Sequence, residues 1–241
     1  MLEDTIVEED IHPQYIAAAR TDVGQVRPTN QDAFYTAAAL GVFAVADGMG
    51  GYRDGDVASR MVCEALAKLI QGDRLDETIA SVKERLGEVN QQLYKAATRI
   101  VNPVVSGSTV SVMLVRRTEC AFLWAGDSRV YRLRHGELAQ MTTDHTWAAE
   151  LNLQGSEEAD HAITRAVGGE STLALDVRRE RVRLGDRYLL CSDGLTHELH
   201  DAHIAKLLAR GDVEDAADSL IEATLEAGAR DNVTVVVVDA Q

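Results

Sequence analysis

The chain has 241 residues, 46% hydrophobic and 26% charged, with three prolines and no low-complexity tract, so it is long enough to bury a sizeable core and shows no internal linker. Its 24 Lys and Arg against 39 Asp and Glu leave a net charge of −15 without a basic stripe, which excludes nucleic acid as an expected partner. No apolar run approaches the ~20 residues of a membrane span, the acidic start (Glu3, Asp4, Glu8, Glu9, Asp10) is not a signal peptide, and Cys63, Cys120 and Cys191 lack metal or disulfide spacing, so a cytoplasmic chain with no membrane insertion is expected.

Residues 14–20, 33–37 and 40–46 read as short strands, with a turn near Leu40-Gly41. The period then changes. Val57, Met61, Ala65 and Leu69 predict a helix over 55–71 with Asp54 or Asp56 as N-cap. A longer helix over 75–100 follows from the threes and fours separating Leu75, Ile79, Val82, Leu86, Val89, Leu93 and Ile100, and Asp76 and Glu77 suit its N-terminal dipole. After Asn102-Pro103, strands at 109–116, 119–126 and 129–134 form a meander. A polar, partly helical stretch from Thr142 to Asp160 interrupts them, before strands near 176–184 and 187–192, helices near 200–209 and 213–227, and a last strand at 233–238. Elements in blocks joined by hairpins favour antiparallel sheets covered by helices over a doubly wound parallel sheet. Residues 1–241 are expected to form one domain of two sheets with helices outside.

Four aspartates, Asp47, Asp127, Asp193 and Asp231, stand at the ends of strongly apolar, strand-like runs. If the strand ends meet, these carboxylates gather at one point and suit hard divalent cations, Mg²⁺ or Mn²⁺, for which oxygen is the preferred donor. Asp47 is the candidate to bridge two ions, because Gly48 leaves its own carbonyl free to approach a metal. Taken singly, each aspartate is explained by turn formation, since Asp-Gly is a common turn pair. They occur together, however, and with Arg27, whose guanidinium suits bidentate phosphate recognition.

An ordered set of short motifs spans nearly the whole chain: Thr21-Asp22-Val23-Gly24 with Arg27 to Asp32, Val45 to Gly51, Gly107-Ser108-Thr109, Ala125 to Arg129, Thr143-Asp144-His145, Ile163 to Gly168, Cys191 to Leu195, and Asp231-Asn232-Val233-Thr234. In this it resembles the metal-dependent protein phosphatases of the type 2C, or PPM, family. The resemblance implies an α+β fold, a four-layer αββα sandwich of two antiparallel sheets flanked by helices. It also implies two Mn²⁺ or Mg²⁺ ions with a weaker third, and hydrolysis of phosphoserine and phosphothreonine on proteins by direct attack of a metal-bridging hydroxide. On this reading Asp47 bridges, the Gly48 carbonyl contacts the first ion, Asp193 and Asp231 complete the second site, and Asp127 with Asp193 takes the third. Asp32 then holds metal-bound water, and Arg27 takes the substrate phosphate. The implied partners are phosphorylated proteins and an opposing Ser/Thr kinase, for a monomeric enzyme.

Two departures from the family pattern matter. Gln31 stands where many members have glutamate, and Met49 where some have a histidine proposed as leaving-group acid, so no side-chain general acid is assigned. Residues about 142–162 occupy the place of the family's variable flap, where Trp147 and Leu151 are expected to anchor, Gly155 to give mobility, and the segment to govern substrate choice. His145 is read as structural, and Arg165 as a loop anchor. Two other classes would carry the same carboxylates: a catalytically silent interaction module, and a hydrolase of small phosphoesters.

Overall fold

The computed structural model describes residues 13–50, 55–70, 72–99, 106–151 and 162–241. In chain order these form β1 (Tyr15–Asp22), β2 (Asp32–Ala37), β3 (Val42–Met49), α1 (Gly55–Ala67), α2 (Leu75–Thr98), β4 (Gly107–Ser108), β5 (Val110–Arg116), β6 (Glu119–Ala125), β7 (Arg129–Arg134) and β8 (Glu137–Gln140). There follow α3 (Trp147–Leu151), β9 (Asp176–Arg181), β10 (Arg187–Cys191), α4 (Asp193–Glu198), α5 (Asp201–Leu208), α6 (Val213–Ala227) and β11 (Val233–Ala240). The strands pair antiparallel in two sheets, ordered β1-β11-β10-β7-β8 and β2-β3-β5-β6-β9, with β4 added to β3.

Alternation along each strand divides the apolar residues into three layers. Val42, Ala44 and Ala46 of β3, with Val112 and Leu114 of β5, pack under Val62 of α1 and Val82 and Leu86 of α2. The intervening residues Phe43, Val45 and Met113, with Phe122 of β6, face Tyr188, Leu190, Val236 and Val238 of the other sheet. That sheet's outer face, with Leu189, Val235 and Val237, lies under Ile204 of α5 and Ala216 and Leu220 of α6. Three apolar layers between helix, sheet, sheet and helix make the αββα sandwich that the resemblance implied. They also explain why β3 and β11 are apolar at almost every position: both faces of their sheets are covered.

The elements differ from expectation at particular ends. β3 continues to Met49, so Asp47 lies within a strand instead of after one. α1 stops at Ala67, and Asp54, a proposed cap, lies outside the described residues. α4 was not foreseen, because six residues containing Gly194 carry too little periodicity. β8 supplies the hairpin partner of β7. At α6 the cap is reciprocal: Asp212 accepts from the amides of Glu214 and Asp215 at 2.9 and 3.0 Å, and Asp215 reaches back to the Asp212 amide. Cys63, Cys120 and Cys191 are free and buried, and burial pushes each thiol up to about 12. No helix among the described residues is long and apolar enough to cross a membrane.

Leu190 is fully buried between the sheets. Leu190→Ala is expected to cost about 2–5 kcal/mol, because the flanking sheets cannot collapse into the cavity; the shift in urea midpoint measures it.

Candidate metal centre

The layer between the sheets changes character at one end. Asp47 has the strand parity of Phe43 and Val45, Ser192 that of Tyr188 and Leu190, and Thr234 that of Val236 and Val238, so polar groups continue the same inward face. On β2, Ala33 and Tyr35 pack toward the helices, which leaves Asp32 on the inter-sheet side, directly opposite Asp47 in the ladder. Asp127 follows β6 in the β6–β7 turn, Asp193 opens α4, and Asp231 precedes β11. Strand parity therefore delivers Asp32 and Asp47 to this end, while a turn, a helix start and the approach to β11 bring Asp127, Asp193 and Asp231.

Two glycines permit the close approach. A Cβ on Gly48 would lie 2.0 Å from the Gly55 carbonyl oxygen, and one on Gly194 would lie 2.0 Å from that of Asn232. Each Asp-Gly pair thus packs backbone on backbone directly beside its aspartate, which is a stricter requirement than forming a turn.

Buried hydroxyls and one amide hold the frame. The Asp47 amide donates to Thr109 Oγ1 at 3.1 Å, and Thr109 Oγ1 is 2.7 Å from Ser128 Oγ, beside Asp127. Ser192 Oγ donates to Asp32 Oδ2 at 2.7 Å while accepting from the Thr234 amide at 2.9 Å. Asn232 accepts from the Gln31 amide at 2.8 Å and donates to the carbonyls of Val23 and Thr29, which fixes the loop bearing Arg27. These four residues stood inside the quoted motifs, but their positioning role depends on contacts across 19 to 209 positions of sequence, beyond the reach of local pattern.

The electrostatics are adverse to ionised carboxylates. Burial, followed by the charges of Asp32, Asp193 and Asp127, holds Asp47 well above the usual carboxylate range. Burial pushes Asp32 up to about 7, against the hydrogen bonds from Ser192 and Thr234, with Asp193 and Asp231 adding repulsion. Burial and Asp193 push Asp127 up to about 8. Asp32 Oδ1 and Asp127 Oδ1 are buried with no hydrogen-bond partner among the described residues. Orphaned carboxylate oxygens that repel one another fit a divalent cation held by oxygen.

Arg27 is turned to Asp231, with Nε to Oδ1 at 2.9 Å and Nη2 to Oδ2 at 2.6 Å. In this arrangement no three carboxylate, imidazole or thiol groups among the described residues converge on one ion position. The fork takes the charge-neutralising place beside Asp231, and it is the bidentate geometry a phosphate would receive. Arg27, Asp193, Asp231, His197, Glu198 and Arg230 line a cavity of about 420 Å³ over the site. His197, whose Nδ1 is 3.5 Å from Asp193 Oδ2, and the Glu198–Arg230 pair at 2.9 Å were not singled out from sequence, because α4 itself was missed.

His145 is structural, as expected. It is buried, its Nδ1 accepts from the Gly126 amide at 3.2 Å, its ring stacks on Trp124, and Nε2 lies 3.3 Å from Asp176. Arg165 pairs with Asp176 at 2.9 Å and so ties down the segment after the flap. The flap expectation is corrected in part. Trp147 and Leu151, i and i+4 on one face of α3, are 52% and 56% exposed, and Ala148 is the residue that turns inward, so the two large side chains are not its anchors. Gly155 lies outside the described residues.

The fold and the carboxylate end define a class of metal-dependent phosphatase architecture, and comparison with known proteins gives the family. Residues 25–228 match the family model "Protein phosphatase 2C", and the chain belongs to that family. It is 39% identical over 230 residues to the serine/threonine protein phosphatase PstP of Mycobacterium tuberculosis, a match covering 92% of this chain but 44% of PstP, so the chain spans less than half the length of that relative. It is 30% identical to the serine/threonine phosphatase stp of Listeria welshimeri, over 92% of this chain and 95% of that protein. Among solved structures, PppA, a regulatory component of the T6SS in Pseudomonas aeruginosa, superposes with a TM-score of 0.91 at 35% identity, covering 95% of this chain and 99% of PppA. The catalytic domain of PstP, solved with two manganese ions, gives 0.84 at 37% identity, covering 93% and 97% of the two chains.

The raised carboxylates set the sign of a pH effect. Unfolded, Asp32 and Asp127 lose their protons near pH 4; folded, they keep them to about 7 and 8. Unfolding in that window releases protons, so metal-free stability is expected to fall as pH rises from about 4 to 8. Thermal melts in EDTA should show a falling Tm over this range, and added Mn²⁺ should raise Tm more at the alkaline end. A metal-free Tm that rises with pH would contradict the arrangement.

Proposed function

We propose that this chain removes phosphate from phosphoserine and phosphothreonine side chains of proteins, as one catalytic domain over residues 1–241 that works with bound divalent ions. The observation that carries the reading is the polar end of the inter-sheet layer, where Asp32, Asp47 and Asp127 crowd together and Asp32 and Asp127 each keep one buried oxygen without a hydrogen-bond partner among the described residues. The named activities of the relatives support it. Retention of all four strand-end aspartates speaks against a silent module.

Asp47, the Gly48 carbonyl, Asp193 and Asp231 would hold two ions, Asp127 with Asp193 would take a weaker third, and Mn²⁺ or Mg²⁺ there would neutralise phosphoryl oxygens and acidify water. The two manganese ions in the PstP catalytic-domain structure support a two-ion centre. Asp32 is fixed by Ser192 so that its free oxygen can accept from water beside Asp47. Arg27 exchanges Asp231 for the substrate phosphate, keeping its fork geometry. The cavity beneath Arg27 receives the phosphorylated side chain, while the exposed Trp147 and Leu151 meet the body of the substrate protein. Such an activity in a cytoplasmic, monomeric enzyme opposes a Ser/Thr kinase that makes its substrates.

Asp193→Asn is expected to abolish Mn²⁺-dependent hydrolysis of a phosphothreonine peptide while the circular dichroism spectrum is retained; full activity in that variant would sink the metal assignment. Arg27→Ala should raise KM for the same peptide by about tenfold or more, with a smaller change in kcat, since it removes a contact to the bound phosphate.

A further inference from the structure

A second concentration of charge lies away from the carboxylates. β9 is the outer strand of its sheet, bonded only to β6 among the described residues, and reads Asp176-Val177-Arg178-Arg179-Glu180-Arg181, with Arg183 two residues on. From the other sheet, β7 brings Arg132 to 3.6 Å from Glu180, and Arg134 Nη2 donates to the Arg181 carbonyl at 2.9 Å. The β5–β6 turn adds Arg117, beside Thr118, whose carbonyl accepts from the Val182 amide. Alone, Arg132-Leu133-Arg134 is too small to form a polyanion site; the fold gives it company from two other segments.

The neighbouring carboxylates do not balance these arginines. Glu180 pairs with Arg178 and Arg132, Asp186 with Arg134, and Asp76 with Arg179. Arg117, Arg181 and Arg183 are exposed and carry no ion pair among the described residues, and Glu119, opposite Arg181 in the ladder, makes none with it. Arg134, Arg179, Arg181, Arg183, Glu119 and Glu180 line a shallow cavity of about 360 Å³. Arginines on an outer strand can serve merely to block edge-to-edge association. Arg117 and Arg183 lie beyond the ladder, however, where there is no edge to guard.

We propose that this end of the sandwich docks an acidic stretch of a partner polypeptide, which pairs its carboxylates with Arg117, Arg181 and Arg183 while lying along the open edge of β9. The commitment to a polypeptide rests on the strand edge, where the outward backbone groups of β9, apart from the Arg181 carbonyl that Arg134 already occupies, are left among the described residues for an extended peptide to match. Arg181 lies opposite Glu119 at one end of β6, and the strand ends at Ala125, two residues before Asp127, so roughly 20 Å at ~3.3 Å per residue separates the two ends. Docking there would raise the local concentration of a partner without entering the carboxylate site.

Fluorescence anisotropy with fluorescein-labelled octaglutamate tests this on the full chain, independently of catalysis. The wild-type chain should bind in a salt-sensitive manner. Arg181→Gln/Arg183→Gln should bind about tenfold more weakly, or worse, having lost two charge-assisted contacts. Arg85→Gln on α2 should bind as the wild type does, and circular dichroism should show all three chains folded. Three outcomes overturn the proposal: no binding of octaglutamate by the wild type, equal binding by the double variant, or tighter binding of an oligodeoxynucleotide of matched charge that the double variant also loses.

Discussion

Repulsion among carboxylates that the sheets force together is the constraint on which the rest of the structure turns. Asp32 faces Asp47 across a ladder where like charges are unfavourable, and Asp193 and Asp127 add to the same field. A loop would relieve this by moving apart. Here relief is denied, because Asp47 sits on β3, a strand covered on both faces, and Asp32 is held opposite it by the β2–β3 ladder and by Ser192; the apolar layers that fix β3 supply the stabilisation that offsets the strain. Protonation relieves the repulsion in the metal-free chain, for Asp32 up to about 7 and for Asp127 up to about 8; on the proposed reading divalent cations would relieve it above that range, which would make ion affinity a property of the fold as much as of the ligands.

The supports around the site are small and uncharged. Thr109, Ser128, Ser192 and Asn232 orient backbone amides and carboxylate oxygens without adding charge to an already crowded region. Gly48 and Gly194 let chains touch at distances no side chain permits. Arg27 is different in kind. It reaches the site from a loop pinned by Asn232, and its guanidinium can hold either Asp231 or a phosphate with the same two-pronged geometry.

The sandwich is electrically polarised along its strands. β6 and β9 run between a carboxylate end and an arginine end, with Asp176, His145 and Arg165 near the first and Arg181 and Arg183 near the second. Edge strands tolerate such charge because one face of their hydrogen bonding is already open to water. Inner strands β5, β10 and β11 cannot, and they are apolar nearly throughout.

The amino-acid sequence by itself determined which residues are strand or helix over the long apolar runs, that Asp47, Asp127, Asp193 and Asp231 are oxygen donors suited to a divalent ion, and, through its ordered motifs, the family. These signals are local: periodicity, residue chemistry and spacing. Tertiary structure alone decided that β3 continues through Asp47, that Asp32 stands opposite it, that Arg27 grips Asp231, and that α4 brings His197 to the rim. It also decided that Trp147 and Leu151 face outward and that arginines from β7, β9 and the β5–β6 turn share one surface. Such facts depend on which strands become neighbours and on which face of each is covered. They are set by packing between segments far apart in sequence, where local periodicity carries no record of the partner.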